Sequence, residues 1–249
     1  MKLAVCVKAT PDTTTKVAIA ADGRSIQEDS VQWVINPYDE FAIEEAVKLS
    51  ETKGGEVTVI ALGPPSLEKT IREALAMGAH KAIRVHCDAV PTDPAVTAQA
   101  LADALKPGGY DLIFTGRQAI DDDHAQVPSR LGQILDIPCV TVVVKLEVDG
   151  HRGMALREVE GGHERVSFSL PAVVGANRHL NEPRYRSLRG IMQAKRVAID
   201  VVTPTLRAPA LVIETMTLPP QKSGSRLFTN GTSDAAEVVR LLHEEARVI

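Results

Sequence analysis

The residues best placed to do chemistry lie between Asp111 and Val127, in the run DLIFTGRQAIDDDHAQV. Leu112 to Thr115 has the character of a strand buried on both faces. The run breaks at Gly116, passes the three aspartates Asp121, Asp122 and Asp123, and gives way to a helical pattern with Val127, Leu131, Ile134 and Leu135 on one side. Open α/β sheets bind ligands where a strand ends in glycine and feeds a helix. The first N–H groups of such a helix have no partner inside it, which suits a phosphate. The bland alternative is that this turn occurs in every α/β domain and that its aspartates are ordinary helix caps, competing with a phosphate for the same N–H groups. The aspartates also suit Mg²⁺ and hence an adenine-nucleotide hydrolase or stress-type nucleotide binder, but no Ser-Gly-Gly phosphate loop accompanies them. His124, His163 and His179 stand alone, without the spacing of metal ligands, and read as structural or solvated. Cys6, Cys87 and Cys139 are far apart and form no CxxC pair, so neither zinc nor a disulfide framework is indicated.

The elements that must position these residues alternate strand and helix. Leu3 to Val7 is a strand, and Lys16 to Ala20 with Arg24 to Gln27 flank Asp22-Gly23 as a hairpin. Asn36 caps a helix with Pro37 in its first turn, Asp39 and Glu40 complementing its dipole, and Gly54-Gly55 at its end. Val57 to Leu62 (strand), Ser66 to Met77 (helix), Ala82 to Val85 (strand) and Asp93 to Leu105 (helix) follow, then the opening stretch, then a Val-rich strand from Cys139 to Val148. This pattern predicts a parallel twisted sheet with helices on both faces, of the kind found in adenine-nucleotide hydrolases. The strand ends near Val7, Leu62 and Thr115 then meet at one rim, within reach of Asn36.

After Val148 the pattern changes. Met154 to Glu160, Arg165 to Leu170 and Pro171 to Gly175 read as a strand extension. Ser187 caps a short helix whose Leu188, Ile191 and Met192 share a face, surrounded by Arg184, Arg186, Arg189, Lys195 and Arg196. A stripe of this kind commonly faces a core; ringed by cations, it also suits docking to a partner. Val202 to Asn230 is rich in Pro, Thr and Ser and reads as an extended arm, followed by an amphipathic helix from Ser233 to Val248. The expected division is a nucleotide-binding domain over 1–200, with a docking segment at 184–195, and an arm and helix over 201–249 that pack on another polypeptide.

Composition narrows the classes. The 249 residues are 44% hydrophobic, enough for a real core, and a net charge of −4 gives no global pull toward nucleic acid or membrane. Aromatic residues at 3% leave little for stacking on single-stranded bases. No apolar run approaches the roughly 18 residues that span a bilayer, and Met1-Lys2 leads straight into a strand, so the expected location is the cytoplasm.

Six segments together carry a family likeness: Asn36-Pro37-Tyr38-Asp39-Glu40, Ala74 to Ala79, Gly116 to Asp123, Arg157 to Gly162, Leu170 to Val173, and Asn181-Glu182-Pro183-Arg184-Tyr185. In this order and spacing, from Leu3 to about Arg196, the chain resembles the small (beta) subunit of electron-transfer flavoproteins. The resemblance implies a heterodimer whose large (alpha) subunit carries most of an FAD site, while the small subunit closes over it and buries a structural AMP. The implied nucleotide contacts are Cys6, Asn36, Pro37, Tyr38, Asp39 and Leu62, together with Gly116, Arg117, Gln118, Ala119, Ile120, Asp121, Asp122, Asp123, His124, Ala125, Gln126 and Val127. It also implies that Leu188 anchors in a pocket of flavin dehydrogenases of the acyl-CoA type, with Ile191, Met192, Arg184 and Arg189 around it. Electrons then pass to a quinone oxidoreductase or another acceptor. Glu158 is implied as an ionic contact with the large subunit's mobile FAD domain. The flavin does the redox chemistry, so no catalytic residue is assigned.

The likeness has departures. Val127 stands where many members have Thr, with Ser129 as the substitute hydroxyl, and Ala125 where many have Asn. Thr13 replaces a Tyr placed against the flavin ring in several members, leaving Tyr38 as the candidate for ring contact. Val7 to Thr13 and Ala125 to Val127 look like a bifurcating branch that holds a second FAD in place of AMP, whereas Asp122 does not.

Overall fold

Four short runs, Lys2–Cys6 (β1), Glu56–Gly63 (β4), Leu112–Gly116 (β6) and Ala172–Ala176 (β10), are apolar at nearly every position, and all four lie in the middle of one sheet with both faces covered. A computed structural model describes residues 1–220 and 224–249. Residues 221–223 of the expected arm lie outside the described residues. The remaining strands are β2 (Ala9–Pro11), β3 (Trp33–Ile35), β5 (Lys81–His86), β7 (Cys139–Asp149), β8 (Arg152–Val159), β9 (Gly162–Ser169) and β11 (Ile199–Val202). The helices are α1 (Pro37–Lys53), α2 (Glu68–Ala76), α3 (Pro94–Leu105), α4 (Val127–Leu135), α5 (Leu188–Ala194) and α6 (Ala235–Glu244).

The main sheet has nine strands in the order β11-β5-β4-β1-β6-β10-β7-β8-β9. Pairing is parallel from β11 through β7 and antiparallel from β7 through β9. The period-2 alternation of β1 sorts the core into two layers. Leu3 and Val5, with Val57 and Val59, pack against Ile43 and Val47 of α1 and Ile71 of α2. Ala4 and Cys6, with Ile60, pack against Leu101 and Leu105 of α3 and Leu131 of α4. The fold is thus α/β with a mostly parallel sheet and helices on both faces. Parallel strands send all their outgoing loops to one rim, which places Lys8, Gly63, Cys87 and Arg117 at the same end of the sheet.

Several local readings change. The hairpin at Asp22-Gly23 is reduced to one bridge, Ile19 to Ile26, with flanking bonds from Ala20 N–H to the Ser25 carbonyl and from Gln27 N–H to the Ala18 carbonyl. The helix from Ser66 begins as a 3-10 turn, Pro65–Leu67. The pairs β2–β3 and β5–β11 have no counterpart in the sequence pattern, because strands of three or four residues are too short to show a period. The described residues form two units, Met1–Met216 and Thr217–Ile249. In the first, Asp93 accepts from Ala95 N–H, capping α3, and from Ala210 and Leu211 N–H of the arm. In the second, α6 buries none of its residues and carries Glu237–Arg240–Glu244 ion pairs along one side. No helix among the described residues is long and apolar enough to cross a membrane.

Candidate functional site

The rim site is assembled around one buried carboxylate. Asp39 lies in the first turn of α1 and turns inward instead of toward the helix end: Oδ2 accepts from Lys8 N–H at 2.8 Å, and Oδ1 from Gly116 N–H at 3.0 Å and the Asn36 side-chain amide at 2.8 Å. The ends of β1 and β6 and the start of α1 are therefore pinned to one group. Gly116 must be glycine here, since a Cβ would collide with Asp39 Oδ1 and come within 2.7 Å of the Tyr38 Cβ. Burial pushes the Asp39 carboxyl up to about 7, against the three donors that favour its charged form.

Asn36 corrects the sequence reading. Its side chain makes no cap bond to α1. It reaches across instead, Nδ2 donating to the Gln118 carbonyl at 2.8 Å and Oδ1 accepting from Ile120 N–H at 3.3 Å. It thereby fixes the loop of residues 117–126, in which Asp123 and Ala125 adopt positive φ. The aspartates are corrected too. They do not cap α4, whose N-cap, Gln126, makes no side-chain cap bond. Lys8 Nζ pairs with Asp121 at 2.7 Å and Asp122 at 2.8 Å, and Asp123 accepts from the Gln118 amide. Burial opposes the Lys8 charge, but the bonds to both aspartates outweigh it and raise its pKa. Asp122, also opposed by burial, is lowered by Lys8 and by the His124 N–H. With the carboxylates taken up in this way, the described residues hold no cluster of three or more metal-ligating side chains.

Between this loop and α3 lies a cleft that opens to solvent, with about 760 Å³ of empty space when the open solvent is included. Of the nucleotide contacts expected from sequence, Cys6, Asn36, Asp39 and Leu62 line it, as do Gly116, Gln118, Ala119, Asp122, His124, Ala125, Gln126 and Val127. Pro37, Tyr38, Arg117, Ile120, Asp121 and Asp123 do not. Pro37 sits exposed in the first turn of α1, while Asp121 and Asp123 act from behind through Lys8 and Gln118. Arg117 lies over the Tyr38 ring, 5.4 Å from its centroid. Ser129 is exposed and outside the lining of this cleft. Burial and the Asp39 carboxyl together push the Cys6 thiol up to about 12, leaving it a neutral apolar wall.

Sequence reasoning missed the opposite wall. Val90, Pro91 and Thr92 from the β5–α3 loop, and Thr97 and Leu101 from α3, complete the cleft with Lys8 and Thr115. The signal was available, because the loop after β5 must open onto the same rim as the others. Thr115 carries a particular mark: the residue lines the cleft, and its hydroxyl is buried with no hydrogen-bond partner in the protein.

A second cleft adjoins the first through the shared residues Gln118 and Ala125, and is lined also by Arg117, Thr141, Val142 and Glu158. Val142 is β-branched with φ of 60°, a costly conformation at the irregular stretch of β7. Glu158 is exposed; its Oε2 accepts from the buried Asn177 amide at 2.7 Å, and it forms no ion pair among the described residues.

At the docking segment, Ser187 caps α5 as expected, accepting from Gly190 N–H at 3.0 Å. Leu188 is 82% exposed and Met192 62%, so the stripe does not face the core; Ile191 is less exposed. Arg184 is the correction here. Its guanidinium pairs with the buried Glu44 and the exposed Glu51, and Arg186 pairs with Glu73, so neither belongs to a free ring of cations. Arg189, Lys195 and Arg196 have no ion pair among the described residues.

Comparison with known proteins gives this geometry a family. The electron transfer flavoprotein domain matches residues 24–206. The electron transfer flavoprotein subunit beta of Bacillus subtilis is 40% identical, covering 100% of both chains. The mitochondrial beta subunit of Oryza sativa subsp. japonica is 37% identical over 100% of both, and the human beta subunit 38% identical over 82% of both. A chain so similar along its length to beta subunits belongs to the electron transfer flavoprotein family, and with it to electron transfer.

Proposed function

We propose that this chain is the small half of a heterodimeric electron carrier that holds AMP in the rim cleft and closes over an FAD carried mainly by a large subunit. The observation that carries the nucleotide reading is the Thr115 hydroxyl. A buried polar group without a partner is costly, and on a residue that lines a cleft it gives a ligand that reaches it something to satisfy. Leu62, Val90 and Leu101 supply apolar surface for a base, while Asn36, Gln118 and the start of α4 supply polar groups. Binding there stabilises the folded state by mass action and asks no chemistry of the protein.

The flavin, when bound, supplies the one- and two-electron chemistry. This chain's part is to orient and shield it, with Tyr38, Arg117 and Glu158 as the residues offered. Electrons arrive from flavin dehydrogenases of the acyl-CoA type, which dock on Leu188 and Met192, and leave to a quinone oxidoreductase or another acceptor. The exposed tip supports this, since a small apolar patch amid cations fits a hot spot with a charged rim.

A bifurcating carrier with a second FAD is favoured by one feature. The two clefts share Gln118 and Ala125, so the wall between them is a single loop. Co-expression with the large subunit, followed by extraction of bound nucleotides, separates the readings. One FAD and one AMP per dimer is the expected result; two FAD and no AMP would establish the second. A colourless dimer, or ATP turnover by the chain alone, would overturn both in favour of a simple interaction module or a hydrolase.

A further inference from the structure

A helix of seven residues has no stability of its own in water, because starting a helix costs more than so few bonds return. α5 nevertheless holds Leu188 and Met192 outward, where the hydrophobic effect would turn them in. Its attitude must come from its anchors. At the N-terminal end, Arg184 forms two fork-like pairs. Nε and Nη2 donate to Glu44 at 2.8 and 3.1 Å, and Nη1 and Nη2 donate to Glu51 at 2.7 and 2.9 Å. The Arg184 N–H adds a further bond to Glu44 at 3.1 Å. The Glu44 side chain is only 3% exposed, a carboxylate that folding would not bury without so complete a partner. At the other end, Arg72 of α2 donates to the carbonyls of Ala194 and Val197 at 2.7 and 3.3 Å, where a cation best meets the end of a helix. In the middle, Gly190 lies so close to the Ala76 carbonyl that a Cβ would stand 2.5 Å from it.

We propose that Arg184 is a positioning residue for electron delivery: its double pairing with Glu44 and Glu51 locks the segment of residues 181–197 onto α1, so that Leu188 and Met192 meet a donor already in place. The proposal rests on the reading of that tip as the docking surface. A segment ordered in advance does not have to be ordered on association, and affinity gains by that difference. Losing the lock therefore weakens encounter with the donor and leaves electron transfer within the docked complex alone. Arg184→Lys is the apt variant. It keeps a charge against the buried Glu44 but cannot reproduce the planar fork. Arg72→Met releases the far end without stranding any carboxylate.

The test uses the co-expressed, flavin-loaded heterodimer with a reduced acyl-CoA dehydrogenase as the varied donor. Arg184→Lys and Arg72→Met should each raise KM for the donor about tenfold, equivalent to ~1.4 kcal/mol. The value of kcat and the flavin content should hold, and amide exchange should quicken across residues 185–195. Leu188→Ala is measured beside them. If it raises KM while Arg184→Lys does not, the lock is overturned and the docking surface stands. If Leu188→Ala leaves KM unchanged, the docking surface itself is wrong. Unchanged exchange in Arg184→Lys would also overturn the lock, whatever KM does.

Discussion

At the rim, Asp39 is buried and collects hydrogen bonds from Lys8, Gly116 and Asn36; at the tip, Arg184 stands partly in solvent and distributes them to Glu44 and Glu51. The rim is an acceptor drawing irregular backbone inward to form a hollow. The tip is a donor pinning a short helix so that apolar side chains stay outside. The same chemistry, charge-assisted hydrogen bonding, yields a cleft in one place and a projection in the other. What differs is which partner is buried and whether it meets backbone or side chains. Backbone donors left without an acceptor have no rotamer by which to escape, so the rim should be the more brittle of the two.

That contrast breaks most visibly at Asp39. Asp39→Ala strands two backbone N–H groups and the Asn36 amide. It should cost roughly 2–4 kcal/mol in urea unfolding and, on the proposed function, lower the AMP recovered from the co-expressed dimer. A loss under about 0.5 kcal/mol, the range of an ordinary surface change, would mean the rim is held some other way. A subtler effect has a sign set by burial. The Asp39 carboxyl is raised in the folded protein, so its contribution is complete below the ordinary value of 3.8 and is lost as pH rises toward about 7. Thermal midpoints should therefore fall across that interval in the native chain, and this part of the slope should vanish in Asp39→Ala. The smallest effect belongs to the tip. Leu188→Ala removes a side chain that is already in water, so stability should change by less than about 0.5 kcal/mol. A loss of several times that would show Leu188 to be packed, and the contrast with the rim would collapse.

The sheet was legible because its central strands are apolar at nearly every position and alternate with helical patterns, both properties of neighbouring residues. The rim was half legible. Strand ends at Val7, Leu62 and Thr115 point to it through topology alone, and the same topology extends to the loop after β5, but the residues from Val90 to Thr92 carry no motif that marks them as a wall. Asn36 shows why the rest was hidden. Next to Pro37 and ahead of a helix, it has every local reason to cap, but its amide prefers a carbonyl 82 residues away. Arg184 likewise chooses Glu44, 140 residues back, over solvent beside its own helix. Choices of this kind depend on which chain segments tertiary packing brings within 3 Å, and no spacing along the chain encodes them.

Lys8 is the one lysine or arginine among the described residues that line the cleft, and Asp121 and Asp122 already neutralise it. An anion entering there finds dipoles rather than a bare cation. Its hold should hence be nearly indifferent to ionic strength, whereas an encounter steered by Arg189, Lys195 and Arg196 should fade as salt is added.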